Sequence, residues 1–220
     1  MKGGDYMSNI QLQTYNAIIH ETSRYGLDHD TVHVEILLNT NEPISTDLQW
    51  YVPAGINVPK AVLDIIKASN LQLYPMSSEH LTSGTEDIQN QAKEGNLEEV
   101  MKDASKLFLL SVLKKSSLIP LDGSQNLYKL SYDYNLYPDS DGNFELHVQL
   151  PFDGLTLNPS GGLVTVTAIC PLTCNIDSVF TRGTDINGNE IQEAVTTTNN
   201  NNIVTFRYQL DPLFAIKYRY

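Results

Sequence analysis

Alternating apolar and polar residues mark strands early in this chain. The clearest case is 31–38, where every second residue is apolar: Val32, Val34, Ile36 and Leu38. A period of two predicts a strand with one buried face. Residues 9–20 fit either a strand or a short helix. Residues 47–52 predict a further strand that ends at Pro53.

A longer apolar spacing predicts helices in the first half. Pro59 precedes an apolar stripe and favours a helix over 59–69, because proline suits the first helical position. A second helical region spans 86–115, with Thr85 as its N-cap and Gly95 as an interruption. This is a helix–break–helix pattern. The pair Lys114-Lys115 then falls at a helix C-terminus, where cations are favourable.

From Leu127 onward the pattern changes to short alternating runs separated by turn residues. The runs are 127–137, 144–150, 163–169, 179–182, 191–198, 203–210 and 213–220. This rhythm predicts an antiparallel β-sandwich that is immunoglobulin-like in size, with a topology that the pattern leaves open.

We therefore predict an α+β fold. A mixed α/β domain would cover 7–122 and a β-sandwich domain 127–220, joined by the polar segment 122–126. The alternative is one α+β domain, in which the N-terminal strands join the C-terminal sheet and the helices cover one face.

The first residues indicate gene origin. Back-translated with A/T-rich codons, 2–5 resembles a ribosome-binding site, and Met7 follows at a suitable spacing. We expect residues 1–6 to be a translated leader and Met7 to be the start. The gene would then belong to a low-GC Gram-positive bacterium, or to a phage or mobile element of one.

Charge and composition exclude several classes of function. The net charge is −12, which argues against binding to phosphate backbones. No apolar run approaches the ~20 residues of a membrane span, and no secretory signal is visible. We expect the protein in a virion or in the bacterial host cytoplasm. Cys170 and Cys174 would be free thiols that form a disulfide only in an oxidising medium.

Two groups of residues resemble metal sites. His29, His33 and Glu35 could converge on a hydrolytic zinc, although His33 and Glu35 also suit the solvent face of a strand. Asp139 and Asp141 resemble a calcium loop, but a turn between two strands explains them as well. Neither group has the fixed spacing of a known motif, and we predict no cofactor.

The last run carries a stripe of apolar and aromatic residues: Phe214, Ile216, Tyr218 and Tyr220. We predict that this strand is an open sheet edge that pairs with a neighbouring subunit. The expected function is a non-enzymatic structural protein of a phage virion or phage-derived particle. Its expected partners are copies of itself, as a homo-oligomer, or other particle proteins. The alternatives are a cytosolic metal-dependent enzyme, or a carbohydrate- or protein-binding module.

Overall fold

The computed structural model describes residues 9–44, 49–53, 58–68, 73–82, 84–121, 123, 126–149, 156–158, 161–185, 188–191, 195–198, 202–208 and 213–220. The chain is mostly β with few helices, which agrees with an α+β fold. The predicted leader over 1–6 lies outside the described residues.

The strands and helices follow one another without a repeat. The strands are β1 (Asn9–His20), β2 (Asp30–Thr40), β3 (Trp50–Pro53), β4 (Met76–Ser77), β5 (Leu113–Ser116), β6 (Ile119–Pro120), β7 (Leu127–Leu136), β8 (Phe144–Gln149), β9 (Thr156–Leu157), β10 (Leu163–Cys170), β11 (Asn175–Ile176), β12 (Arg182–Thr184), β13 (Glu190–Ile191), β14 (Val195–Thr198), β15 (Asn202–Tyr208) and β16 (Leu213–Arg219). The helices are α1 (Lys60–Ala68), α2 (Ser78–Thr82), α3 (Ile88–Glu94) and α4 (Leu97–Leu110), with 3₁₀ helices at Thr22–Tyr25 and Thr85–Asp87.

The larger sheet combines strands from both halves of the chain. Its order is β14-β15-β10-β1-β2-β7-β6, and β9 also pairs with β1. β1 is antiparallel to β2 but parallel to β10. The hydrogen bonding therefore crosses the predicted boundary at 122–126, as in the alternative arrangement in which the N-terminal strands join the C-terminal sheet.

A five-stranded sheet faces the larger one through a shared core. Its order is β11-β16-β12-β13, and β8 pairs with the other side of β16. The inward side chains of β8 and β16 are at most 2% exposed. The rings of Phe206 in the larger sheet and Phe214 in the smaller one lie 4.7 Å apart. Alternate residues of both sheets thus fill one hydrophobic core.

One polar side chain interrupts this core. Gln13 lies on the inward face of β1 and is 0% exposed. Neither its Oε1 nor its Nε2 has a hydrogen-bond partner among the described residues. A buried amide in this state destabilises the fold by about 1–3 kcal/mol.

The helices belong to a second, smaller core. They pack with the three-stranded sheet β4-β3-β5 around Leu81, Leu109 and Val112, instead of covering the larger sheet. Gly95, at φ +77°, ends α3, so the predicted break between two helices is present. The placement of Lys114 and Lys115 at a helix end was wrong, because these residues pair with β3 in β5. Within the described ranges, no helix is long and apolar enough to cross a bilayer.

Candidate functional site

One end of the two sheets holds a buried group of carboxylate, hydroxyl and thiol side chains. We call it the Asp30 cluster, and its members are Ser23, Asp30, Cys170, Cys174, Tyr218 and Tyr220. Asp30 is the first residue of β2 and lies on the same inward face as the buried Val32 and Val34. The alternation of inward and outward side chains along the strand therefore buries this carboxylate together with the valines. The strands of both sheets thereby bring polar groups to one place.

Asp30 accepts four hydrogen bonds. Its Oδ1 accepts from the Ser23 backbone N–H at 3.1 Å and from the Ser23 hydroxyl at 2.6 Å. Its Oδ2 accepts from the hydroxyls of Tyr218 and Tyr220, each at 2.7 Å. A carboxylate that is 0% exposed is tolerable only with such donors. The carboxylate ties the β1–β2 connection to the end of β16.

The two tyrosines act as donors to this carboxylate. Burial and then the charge of Asp30 raise the pKa of Tyr218 far above its ordinary value. Burial and then the hydrogen bond to Asp30 raise the pKa of Tyr220 in the same way. Both hydroxyls therefore stay protonated at physiological pH. The arrangement is a hydrogen-bonded tie between the β1–β2 connection and the two C-terminal tyrosines.

The two thiols lie beside this tie and contact each other. Cys170 ends β10, and the chain then turns, with the Cys174 N–H donating to the Pro171 carbonyl at 3.2 Å. The hydrogen bond between the thiols, with burial, raises the pKa of Cys170. The same bond lowers the pKa of Cys174 against the effect of burial, with help from the Asn202 amide 3.6 Å from its sulfur.

A polar rim covers the outer side of the cluster. The Thr173 hydroxyl donates to Glu21, and Arg24 lies 3.3 Å from the same carboxylate. The Arg24 guanidinium also lies 5.6 Å from the centre of the Tyr220 ring. The bond from Thr173 is the main cause that lowers the pKa of Glu21; burial opposes it, and Tyr25 and Arg24 add to it. This rim joins the turn at 171–174 to the β1–β2 connection.

The predicted zinc group does not form. His29 is buried, with its Nδ1 2.8 Å from Asp28, whereas His33 lies on the outer face of β2, 2.7 Å from Asp133. Glu35 pairs with Lys129 at 2.8 Å. No group of three or more His, Cys, Asp or Glu within the described part of the chain could hold a metal ion. The face of a strand explains His33 and Glu35.

The predicted calcium loop is a turn between β7 and β8. Asp139 Oδ1 accepts from the backbone N–H groups of Asp141 and Asn143, at 2.9 and 2.8 Å. Burial raises the pKa of Asp139. The hydrogen bonds from the Asn143 side chain and from these two backbone N–H groups lower it by more, so the net shift of the pKa is downward. The Asp139 carboxylate stabilises the turn itself. The side chain of Asp141 is exposed.

The structure buries most of the predicted assembly stripe. Phe214, Ile216 and Tyr218 are each 0% exposed, and β16 is paired on both sides. Only Tyr220 reaches the surface, at 37% exposure, and its hydroxyl bonds to Asp30. The prediction that this strand is an open edge was therefore wrong. An inward-facing strand and an interface strand carry the same alternation, and sequence did not distinguish them.

The outer face of β1, β10 and β15 is an extended surface built mainly from threonine and aliphatic side chains. We call it the Thr/Ile face, and its residues are Leu12, Thr14, Asn16, Ile18, Leu163, Thr165, Thr167, Ile169, Ile203, Thr205 and Arg207. It contains no acidic residue, in a chain with 26. The neighbouring acids Glu35 and Asp133 are paired with Lys129 and His33.

The apolar part of the Thr/Ile face is open to solvent. Leu12, Ile18 and Ile169 are 38–42% exposed. Ile18 pairs with Ile169, which pairs with Ile203, so these side chains form a row across three strands. Thr14, Asn16 and the threonines of β10 form the adjacent rows. The face carries uncharged polar rows in its middle, apolar residues at both ends, and Arg207 as its one charged residue among those named.

These features define an α+β protein with a mixed central sheet, a buried carboxylate–thiol cluster and an outer sheet face without acidic residues. Comparison adds no relative: no protein-family model matches the sequence, and no curated protein matches it.

Sequence reasoning missed the Asp30 cluster, although one signal was present. Asp30 is in phase with Val32 and Val34, which implies a buried carboxylate that needs donors. Its donors Tyr218 and Tyr220 lie 188 and 190 residues away, and no local pattern links them to it.

Proposed function

We propose that this protein is a non-enzymatic structural subunit of a multi-subunit particle, most plausibly a phage virion or phage-derived assembly of a low-GC Gram-positive host. The larger and the five-stranded sheets would form a β-sandwich, with the Thr/Ile face as its assembly surface. The occupant of that face would be a second copy of this chain.

The observation that carries this proposal is the absence of acid on the Thr/Ile face of a chain with net charge −12. Two copies that approach through any acidic surface repel each other. The Thr/Ile face minimises this repulsion and offers the exposed Leu12, Ile18 and Ile169 for burial. Threonine and asparagine side chains supply hydrogen bonds without the desolvation penalty of charges.

The area of this face suits a reversible contact. Its three strands, about 4.8 Å apart and about seven residues long, cover about 330 Å². Stable interfaces bury about 600–1,000 Å² per partner. The contact is therefore expected to be weaker than a stable interface. It should depend on protein concentration and strengthen with salt, because salt screens the repulsion between acidic copies.

Sedimentation velocity over a concentration series tests the proposal. The wild type should form dimers or larger species as concentration rises, and Ile18→Glu should stay monomeric, because it places a carboxylate on the Thr/Ile face. The matched control is Leu97→Glu, which adds the same charge at a 70% exposed position on α4. Circular dichroism verifies that both variants fold.

Two results would count against the proposal. A wild type that stays monomeric at all concentrations and salt levels would remove self-association. Equal loss of association in Ile18→Glu and Leu97→Glu would show that net charge matters and the face does not.

A further inference from the structure

We propose that Cys170 and Cys174 are a reversible redox pair, which small-molecule disulfides convert to an intramolecular disulfide through attack by Cys174. This assigns a modification site that is independent of the assembly surface proposed above. It also specifies which of the two thiols reacts first.

The first support is the local geometry. Cys170 is held in β10 by pairing with β1 and β15, so its position is fixed. Cys174 sits at the end of the turn that begins at Pro171, and the two thiols hydrogen-bond to each other. Leu172, inside this turn, is 65% exposed. Cys170 and Cys174 themselves are only 3% and 6% exposed, so a reagent reaches the pair when the surface turn at 171–174 moves outward, and that movement carries Cys174 and leaves Cys170 in β10.

The second support is the hydrogen bonding of Asn202, which distinguishes the two sulfurs. The Asn202 amide donates to the carbonyls of Pro171 and Cys174, each at 2.9 Å, and lies 3.6 Å from the Cys174 sulfur. It therefore holds the turn in shape and directs a donor at Cys174. With the donor from Cys170, this favours the Cys174 thiolate, which is the nucleophilic form.

The reaction needs one equivalent of a low-molecular-weight disulfide. The Cys174 thiolate attacks one sulfur of the reagent, a mixed disulfide forms, and a thiolate leaves. Cys170 then loses its proton to this leaving thiolate and attacks the Cys174 sulfur, which releases the second half of the reagent as a thiolate. That thiolate takes up from solvent the proton that Cys174 gave up when it ionised. The protein loses two hydrogens, the reagent gains two, and one protein disulfide replaces the reagent disulfide.

The test uses hydroxyethyl disulfide, a small uncharged reagent, on the full chain. After incubation, the sample is quenched in acid, denatured, alkylated with N-ethylmaleimide and weighed by intact-mass spectrometry. The wild type should lose the mass of two hydrogens and accept no maleimide. Cys170→Ser should retain a mixed disulfide at Cys174. Cys174→Ser should stay largely unmodified, because its remaining thiol lies in β10, which is paired on both sides and does not move with the surface turn.

A folded-state control and a rate measurement complete the design. Circular dichroism establishes that each variant is folded, and Asn202→Ala should slow the wild-type reaction severalfold by removing the donor to Cys174. The proposal is overturned if the wild type accepts two maleimides after incubation. It is also overturned if Cys170 forms the mixed disulfide faster than Cys174, or if mixed disulfide accumulates in the wild type as it does in Cys170→Ser.

Discussion

Replacing Asp30 with asparagine isolates the role of the buried carboxylate. The substitution keeps the side-chain volume, so it leaves no cavity, but it removes the charge and one of two acceptor oxygens. The carboxylate accepts from the Ser23 N–H and hydroxyl and from the Tyr218 and Tyr220 hydroxyls, at 2.6–3.1 Å. The Ser23 backbone N–H can only donate a hydrogen bond, so the side-chain oxygen of the asparagine must face Ser23. Its NH₂ group then faces the tyrosines, which must turn to become acceptors.

The expected loss follows from these four bonds. A hydrogen bond to a charged group contributes about 1.5–3 kcal/mol and a neutral one about 0.5–1.5, so each bond loses about 1 kcal/mol. The gross loss is about 4 kcal/mol, and the lower penalty for burying a neutral amide offsets part of it. We expect Asp30→Asn to lower the free energy of unfolding by about 2 kcal/mol. For a chain of this size, that corresponds to a fall in Tm of about 4–8 °C.

Urea denaturation followed by circular dichroism measures this loss. Asp133→Asn is the matched control, because that acid pairs with His33 on the exposed sheet face and should change stability by less than about 1 kcal/mol. A double-mutant cycle with Tyr218→Phe should show positive coupling between the two side chains. If Asp30→Asn is as stable as the wild type, the carboxylate is not the tie described above.

Three further expectations test separate features. Gln13→Met should stabilise the protein by about 1–2 kcal/mol in urea denaturation, since it removes a buried amide without partners, whereas the partly exposed Gln11→Met should change little. Burial lowers the pKa of His147, and the charge of Glu145 partly opposes this shift. The free energy of unfolding should therefore fall as the pH drops below about 6.5 and through the folded-state pKa. His147→Gln should weaken this pH dependence, and equal urea midpoints at all pH values would contradict it. Gly162→Ala should cost about 1–3 kcal/mol in thermal denaturation, because the new Cβ would lie 2.8 Å from a backbone oxygen of β1; an unchanged Tm would refute this.

The sequence predicted many of the strands, because a strand that is buried on one face has an apolar residue at every second position. β2, β7, β8, β10 and β15 all lie where alternation placed strands. α1 and α4 likewise follow the apolar stripes, and α3 ends at the predicted break at Gly95. The error at Lys114-Lys115 has a physical cause: the apolar stripe of α4 runs on into Val112 and Leu113, which are buried in the same small core.

Strand pairing could not be predicted, because alternation gives the inward face of a strand and not its neighbours. β1 pairs with β10 in parallel and with β2 in antiparallel orientation, and its alternating pattern of inward and outward residues is compatible with both. The stripe Phe214, Ile216 and Tyr218 would look the same whether it faced a core or another subunit. Pairing with β8 on one side and β12 on the other decides that it faces the core.

The long-range pairing also constrains when the fold can form. The β1–β2 hairpin is local and can form early, whereas the parallel partner of β1 lies about 150 residues later in β10. The tie between Asp30 and Tyr218 joins residues 188 positions apart. Until β16 is in place, both sheets expose their inward apolar faces, and the Asp30 carboxylate lacks two of its four donors. The burial of β16 is thus a step in monomer folding, so the proposed assembly would have to use another surface. The Thr/Ile face, which carries no acidic residue, would meet that requirement without unfolding any strand.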